Sequence, residues 1–349
     1  MSISVFDHPM LAGLLGDREI AAQFSVAAEL EAMLAFEVSL ARAEAEEGLI
    51  PQAAADAILE LPGRFEPDVD AIRDATGRDG VVIPELVRQW RAALGAHGEY
   101  IHFGATSQDV IDSGLMLRLV QVVRLLDARL EAVVDAIDAL DARFGKAPLM
   151  GQTRMQAAIE ISVGDRFSSW RAPLGRYRRM LEPWLQGGLP VQFGGAAGTL
   201  DKLGDKAASV RARLAADLAL ADRSQWHSQR DVIAEFGGLL SLVSGSLGKM
   251  GQDLSLMAGA GTALIGGGGG SSAMPHKRNP VKAEVLVTLA RFNAVQLSGL
   301  HQSMVHEQER SGSAWTLEWM ILPQLAVATG AALRTAADVL GSIERIGDA

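Results

Sequence analysis

Long stretches of apolar residues at helical spacing constrain the fold of this chain more than any other feature of its sequence. In two segments, apolar residues recur every three or four positions, the spacing that keeps them on one side of an α-helix. The first stripe consists of Leu119, Val122, Val123, Leu126, Leu130, Val133, Val134, Ile137 and Leu140. The second consists of Val232, Phe236, Leu239, Leu240, Val243, Leu247, Met250, Leu254 and Met257. A helix of about 27 residues is about 40 Å long, and narrow stripes of this length are typical of bundles. The pattern predicts an all-α fold, a long-helix bundle that buries faces against other chains.

The composition excludes several classes of protein. The chain has 349 residues, a formal net charge of −10 and no cysteine. Neutralising phosphates requires an excess of Lys and Arg, which argues against a nucleic-acid partner, although a local pocket can still attract a small anion. The lack of cysteine excludes disulfides, thiolate nucleophiles and Cys-ligated metals. No apolar run reaches the roughly 18 to 20 residues of a membrane span, and the start lacks the basic flank of a secretory signal. The sequence therefore predicts a cytoplasmic protein without a membrane partner.

The chain divides into two predicted domains. Residues 1–98 contain shorter helical pieces interrupted at "GLIPQ" and "LPGRFEPD", whereas residues 99–349 contain the long stripes. We therefore place the boundary near Gly98. Within the second domain, the glycine-rich stretch 184–205 is predicted to interrupt the bundle helices, and a last helix is predicted from about Trp315 towards Ile346.

A run of five glycines, Gly266 to Gly270, precedes the polar segment "SSAMPHKRNP". The run does not have the spacing of a P-loop or of a dinucleotide fingerprint, and no His pair has the spacing of metal ligands. Asn279 and Pro280 suit a helix start, with Asn as N-cap and Pro at the first position, so a plain flexible linker remains one interpretation. The other is a mobile cover, in which exposed backbone donors and a cation stabilise a carboxylate or a developing oxyanion beside the serines.

Two further polar segments allow both a structural and a functional interpretation. In "HFGATSQDV" (102–110), Thr106 and Asp109 have the spacing of a capping box, and a helix N-terminus with hydroxyl groups is also an anion site. "GQTRMQAA" (151–158) and "WHSQRD" (226–231) are predicted, taken alone, to be polar helix starts. Arginines in such segments are more often surface charges than ligands.

Together these segments resemble a known superfamily. "GGSSAMPHKRNP" is similar to the signature loop, G-S-S-x-M-P-x-K-x-N-P, of the fumarase, aspartase, argininosuccinate lyase and adenylosuccinate lyase superfamily, and every specified residue from Gly270 to Pro280 matches. "HFGATSQDV" resembles the first superfamily motif and "GQTRMQAA" the second, in the expected order over about 180 residues. The superfamily fold is an all-α long-helix bundle, as the stripes predict.

The detail resembles one branch, the bacterial 3-carboxy-cis,cis-muconate cycloisomerase family, in "VQFGGAAGTL", "WHSQRDVIAEF" and "ERSGSAWTLEWMILP". Lyases such as adenylosuccinate lyase carry a histidine directly after the threonine of the second motif, where this chain has Arg154. The lactonizing branch is similar to this chain in lacking that histidine. Two features depart from the superfamily pattern. Gln152 stands at the usual arginine of that motif. The small C-terminal helical domain of about a hundred residues that the resemblance implies does not follow in this sequence, as expected either of a naturally short branch or of a truncated chain.

The resemblance implies a role for each matching residue. Ser271 is implied to be the catalytic acid and base, with Lys277 and Asn279 holding the carboxylate on which charge develops. The implied substrate-binding residues are Thr106, Ser107, Gln156, Ser272, Arg310, Arg154, Arg230 and His102. No metal and no cofactor is implied, because a carboxylate nucleophile is already ionised at neutral pH.

The implied reaction is the closure of 3-carboxy-cis,cis-muconate, a tricarboxylate, to 4-carboxymuconolactone by a homotetramer whose active sites are shared between subunits. The nearest alternative is a lyase that eliminates fumarate from a substrate such as adenylosuccinate. A catalytically silent relative that retains only the bundle is a second alternative of a different class.

Overall fold

A computed structural model describes residues 4–270, 274 and 278–348, and long helices dominate it. Within these residues the helices are α1 (Ala12–Leu15), α2 (Arg18–Ala22), α3 (Val26–Glu46), α4 (Gln52–Leu59), α5 (Val69–Asp79), α6 (Ile83–Leu94), α7 (Ser107–Phe144), α8 (Val163–Pro183), α9 (Ala207–Asp217), α10 (Asp231–Ala260), α11 (Val281–Gln302) and α12 (Gly312–Gly341). Shorter helical turns span Leu61–Gly63, Gly95–Tyr100, Trp184–Gly188 and Asp201–Lys206. The all-α prediction is confirmed.

Six short strands accompany the helices in the described part of the chain. They are β1 (Pro148–Thr153), β2 (Gln156–Ser162), β3 (Ala263–Ile265), β4 (Gly269–Gly270), β5 (Arg278–Asn279) and β6 (Ile343–Ile346). β1 pairs with β2, β3 with β6, and β4 with β5, each antiparallel. These small sheets close the ends of helices and do not form a layer of their own.

The two predicted stripes lie on α7 and α10 and form the centre of the bundle. Every residue of the second stripe is buried, and in the first only Val134 is partly exposed. α10 packs along α11, α11 along α12, and α7 against α8 and α12. By length and composition, α10 and α12 are apolar enough to cross a membrane, yet most of the most apolar window of each is buried among the other helices. Their hydropathy is that of core helices.

The first hundred residues pack on the bundle mainly through α3, which contacts α7 and α9. The predicted domain boundary near Gly98 falls in the turn Gly95–Tyr100, just before α7. The predicted interruption at 184–205 is also present, since α8 ends at Pro183 and only helical turns precede α9.

Three local predictions were wrong. Residues 151–158 do not start a helix but belong to the β1–β2 hairpin, whose two-residue turn, Arg154 and Met155, has φ values of 50° and 64°. Two left-handed residues are what a tight hairpin turn requires, and they are incompatible with a helix start. Asn279 is not an N-cap, because it pairs with Gly269 in the β4–β5 ladder and α11 begins two residues later. The last helix ends at Gly341, because Ile343–Ile346 pairs with β3.

The bundle has two ends that carry different predicted site residues. At the first end, α7, α10 and α12 begin, and buried ion pairs from Arg230 to Asp112 and Glu318 join these three starts. At the second end, α7 finishes and the hairpin β1–β2 follows. Gly347 and Asp348 bond there to Thr262 and Pro148, which brings the end of α12 and the β3–β6 sheet to the same place.

Candidate active site

The start of α7 forms the core of the candidate site at the first end. Thr106 is the N-cap, and its backbone N–H donates to Asp109 Oδ2 at 3.0 Å, so the predicted capping box is present. The hydroxyl-bearing residues Thr106 and Ser107 are half-buried. The positive end of the helix dipole and the first free N–H groups lie here, which favours a bound anion.

Asp109 connects this helix start to the glycine-rich loop after α8. Its carboxylate is fully buried and accepts hydrogen bonds from the backbone N–H groups of Gly194 and Gly195, both at 2.9 Å, and from Gln192 Nε2 at 3.1 Å. His227 Nε2 lies 2.8 Å from Oδ1 of the same carboxylate. The segment "VQFGGAAGTL" is thus held against α7 by one buried acid.

Arg310 lies beside the same helix start, as the resemblance implies. Its Nε donates to Gln108 Oε1 at 2.9 Å and its Nη2 to the carbonyl oxygen of Ala196 at 3.3 Å. Among the residues that the structure describes, Nη1 of Arg310 has no hydrogen-bond partner. A cleft of about 620 Å³ opens next to it, between residues 79–81 and the start of α12. Arg310 therefore lines a space large enough for a small carboxylate ligand and keeps a donor available to it.

Arg230, also expected to bind substrate, has a different place. Its side chain is 0% exposed, and its guanidinium donates four hydrogen bonds of 2.6 to 3.1 Å to Asp112 and Glu318. It also stacks over Trp226, with Cζ 4.7 Å from the ring centroid. Burial alone lowers the pKa of Arg230, but the two carboxylates outweigh that effect and raise it. Because its charge is already compensated inside the protein, we revise Arg230 from a substrate ligand to a residue that joins three helix starts.

His102 lies in the loop before α7 and is held by Glu37 of α3. Its backbone N–H donates to Glu37 Oε2 at 3.0 Å, and its ring Nδ1 lies 2.6 Å from Oε1. The side chain of His102 is 14% exposed and that of Glu37 is 0% exposed. Burial lowers the pKa of His102, but the charge and hydrogen bond of Glu37 dominate and raise it above its usual value.

Sequence reasoning missed Glu37, although a signal for it exists. Glu37 lies on α3 among buried residues that include Met33, Phe36 and Leu40. A carboxylate at a position of an otherwise apolar helical face is buried only when it is paired. His227 and Asp109 were likewise present in the quoted motifs, but nothing local in the sequence indicates that they meet.

Three further predicted residues lie at the second end. Arg154 and Gln156 are exposed on the β1–β2 hairpin, and Asn279 is half-buried in β5. Ser271, Ser272 and Lys277 lie outside the described residues. The described part of the chain contains no group of three or more His, Asp or Glu residues that could hold a metal ion.

The two groups of residues are too far apart to share a site within one chain. α7 has 38 residues, so the two ends of the bundle are about 57 Å apart along it at 1.5 Å per residue. The strands of the hairpin have six and seven residues and reach only about 20 Å. The chain therefore brings His102, Thr106, Ser107 and Arg310 together at one end, and Arg154, Gln156 and Asn279 together at the other.

Comparisons with known proteins agree with this architecture. A family model described as Lyase matches residues 17–296. The chain is 40% identical over 334 residues to a 3-carboxy-cis,cis-muconate cycloisomerase of Pseudomonas aeruginosa, covering 93% of this chain and 72% of that protein. The crystal structure of 3-carboxy-cis,cis-muconate lactonizing enzyme from Pseudomonas putida matches with a TM-score of 0.87 and 36% identity, over 95% of this chain and 76% of that one. A fumarate lyase from Mesorhizobium sp. BNC1 matches with a TM-score of 0.88 and 32% identity, over the same shares of the two chains.

These matches extend over nearly the whole chain and include both the bundle and the residues around the start of α7. Members of this family are typically oligomeric and act on small molecules. From the bundle, the three motifs and these relatives together, the chain belongs to the lyase family that includes the 3-carboxy-cis,cis-muconate cycloisomerases and the fumarate lyases.

Proposed function

We propose that this protein is a cycloisomerase that converts 3-carboxy-cis,cis-muconate to 4-carboxymuconolactone in the cytoplasm. The observation that carries the proposal is the free edge of Arg310 beside the start of α7, within a chain that is 40% identical to a cycloisomerase of that substrate. A tricarboxylate needs several separate groups that bind anions. Thr106, Ser107 and Arg310 supply such groups at the first end without any change in the backbone.

In the proposed reaction, one carboxylate oxygen of the substrate adds to a carbon of the conjugated diene. A carbon–oxygen bond forms and one π bond is lost, while a proton is delivered to the carbon next to another carboxylate. Negative charge grows on that second carboxylate before the proton arrives, so fixed donors that meet this charge lower the barrier. We assign proton transfer to Ser271 and the stabilisation of the developing charge to Lys277 and Asn279.

The separation of the two ends supports a shared active site. Thr106 lies at the start of α7 and Asn279 at the other end of the bundle, and the two ends of α7 are about 57 Å apart. We therefore infer that Asn279, with Ser271 as its proposed partner in catalysis, meets the Thr106 and Arg310 group of a different subunit. We infer a homotetramer in which long helices of neighbouring subunits pack in opposite directions, and we place the boundary of its two domains near Gly98. In that arrangement the exposed Arg154 and Gln156 reach a partner's site, and we assign Ser272 to the same site. No metal or organic cofactor is needed in this proposal.

Replacing Ser271 tests the assignment. Ser271→Ala is expected to keep the fold and the oligomeric state but to lose about 10²- to 10⁴-fold in turnover, the usual contribution of a positioned acid or base. The assay follows the loss of diene absorbance with 3-carboxymuconate. Ser224→Ala, an exposed serine in the loop before α10, is the matched control and is expected to keep full activity. Near-normal lactonization by Ser271→Ala would remove Ser271 from the mechanism.

A fumarate-eliminating lyase is the second candidate, because a fumarate lyase is among the solved structures that this chain resembles. Arg154 replaces the histidine that such lyases carry in the second motif, which favours the cycloisomerase. Incubation of the wild-type enzyme with adenylosuccinate distinguishes the two. Release of fumarate there, without diene loss from 3-carboxymuconate, would replace the proposal by the lyase.

A further inference from the structure

The buried carboxylate of Glu37 contacts His102 at two points, its backbone and its ring. Glu37 accepts from the backbone N–H of His102 with one oxygen and contacts ring Nδ1 with the other. His102 has φ 63°, a left-handed conformation that a residue with a Cβ rarely adopts. Such conformations are strained and persist where the surroundings enforce them. Glu37 supplies that constraint from a different helix, 65 positions earlier in the chain.

The contact with Glu37 decides which ring nitrogen of His102 is available to a ligand. Nδ1 faces a carboxylate, an acceptor only, and therefore carries a proton. Within the described residues Nε2 has no hydrogen-bond partner. It is also not one of the fully buried side-chain atoms without a partner, so part of its surface is exposed. Nε2 is thus accessible, four positions before Thr106 at the helix start that forms the candidate anion site.

The charged groups around the ring favour its cationic form. Glu37 on α3 and Asp109 on α7 stabilise the imidazolium, while Arg91 on α6 opposes it. Glu44 lies two turns further along α3, and burial, together with the charge of Glu37, raises its pKa to about 9. Glu44 is therefore neutral near pH 7, and the single negative charge of this part of α3 lies on Glu37, against His102.

We propose that Glu37 is a positioning residue that keeps His102 doubly protonated, so that its Nε2–H binds one carboxylate of the substrate beside the start of α7. This inference rests on the proposed function for the identity of the ligand, but the state of His102 itself does not depend on it. Glu37 contacts no substrate atom. Its effect is exerted through the charge and orientation of the imidazole.

The first experiment needs no substrate. In ¹⁵N-histidine-labelled enzyme, with the His102 signals identified from their loss in His102→Gln, both ring nitrogens of His102 are expected to stay protonated to a pH above about 6.5, the ordinary pKa of histidine. Glu37→Gln is expected to move the titration of His102 to lower pH, because Asp109 is then the only one of the two carboxylates left to oppose burial and Arg91. Glu31→Gln, on the exposed face of α3, is expected to leave it unchanged.

The second experiment follows catalysis as a function of pH. With wild-type enzyme, KM for 3-carboxymuconate is expected to rise as the pH passes the titration of His102. In Glu37→Gln that rise is expected at lower pH, so that KM near neutral pH is roughly 10- to 100-fold higher, the effect of losing a hydrogen bond to a charged group. The kcat of Glu37→Gln is expected to change little. Glu37→Asp, which keeps the carboxylate, is expected to show a smaller increase in KM than Glu37→Gln.

Each result decides a separate question. If His102 of the wild-type enzyme titrates no higher than an ordinary histidine, at about pH 6.5, the inference is wrong even if Glu37→Gln cannot be obtained folded. If Glu37→Gln raises KM equally at every pH, Glu37 has only a structural role. If the titration of His102 behaves as expected but wild-type enzyme does not consume 3-carboxymuconate, the proposed function is wrong, whereas the ion pair between Glu37 and His102 is confirmed.

Discussion

The buried cation Arg230 allows the sharpest test of how the structure assigns roles at the first end of the bundle. Its guanidinium lies between Asp112 and Glu318, whose side chains are 0% and 1% exposed. In Arg230→Met, a side chain of similar length leaves both carboxylates buried without their counter-charge. Removing one partner from a buried ion pair costs about 3 to 5 kcal/mol, because the desolvated charge left behind is no longer compensated.

Urea unfolding followed by circular dichroism, at one fixed protein concentration, measures this loss. With a slope of about 3 kcal/mol per molar urea, a loss of 3 to 5 kcal/mol moves the midpoint by about 1 to 1.7 M. Arg73→Met is the matched control, because Arg73 pairs with Asp70 while 68% of its side chain is exposed. Solvent screens an ion pair between exposed side chains, so that control is expected to remain near the wild-type midpoint.

The opposite pattern would refute the reasoning. If Arg230→Met unfolds within about 1 kcal/mol of wild type but loses binding of 3-carboxymuconate, the guanidinium contacts substrate, as the sequence resemblance implied. The buried network would then not be what holds the starts of α7, α10 and α12 together.

Two further substitutions test the packing and the electrostatics of single positions. Gly251→Ala is expected to destabilise the protein by about 1 to 3 kcal/mol, because its Cβ would lie 2.5 Å from the carbonyl oxygen of Ala283. Gly245→Ala, with open space on the same helix, is expected to stabilise it by up to about 1 kcal/mol, and equal losses in the two variants would contradict the α10–α11 packing. For Glu44, burial raises the pKa from 4.5 to about 9, so its protonated form stabilises the fold at low pH and this contribution is lost as the pH rises from about 4.5 to 9. Glu44→Gln is expected to flatten that decline, with a gain of up to roughly 3 kcal/mol at pH 7 at about 1.4 kcal/mol per pKa unit. A pH dependence of unfolding identical to wild type would show that Glu44 is ionised in the folded state.

Local signals in the sequence predicted the elements that depend on near neighbours. The apolar stripes located α7 and α10, because a helix repeats its faces every three or four residues whatever surrounds it. The capping box of Thr106 and Asp109 was likewise predicted, since both partners belong to one helical turn. Where the pattern was short and polar, as in residues 151–158, the prediction of a helix start was wrong because pairing with β1 decided the conformation.

By itself, then, the sequence determined the all-α bundle, the start of its longest helix and the motifs that identify the family. Only the tertiary structure decided the roles of individual charges. Arg230 meets Asp112 across 118 positions and His102 meets Glu37 across 65, and no periodicity in the chain encodes such encounters. Burial then determines the role of each pair, because a charge removed from water must be compensated by a partner within the protein. The longest of the helices that the stripes predict also has its two ends about 57 Å apart, with one group of predicted site residues near each end, so the proposed function requires contacts between chains.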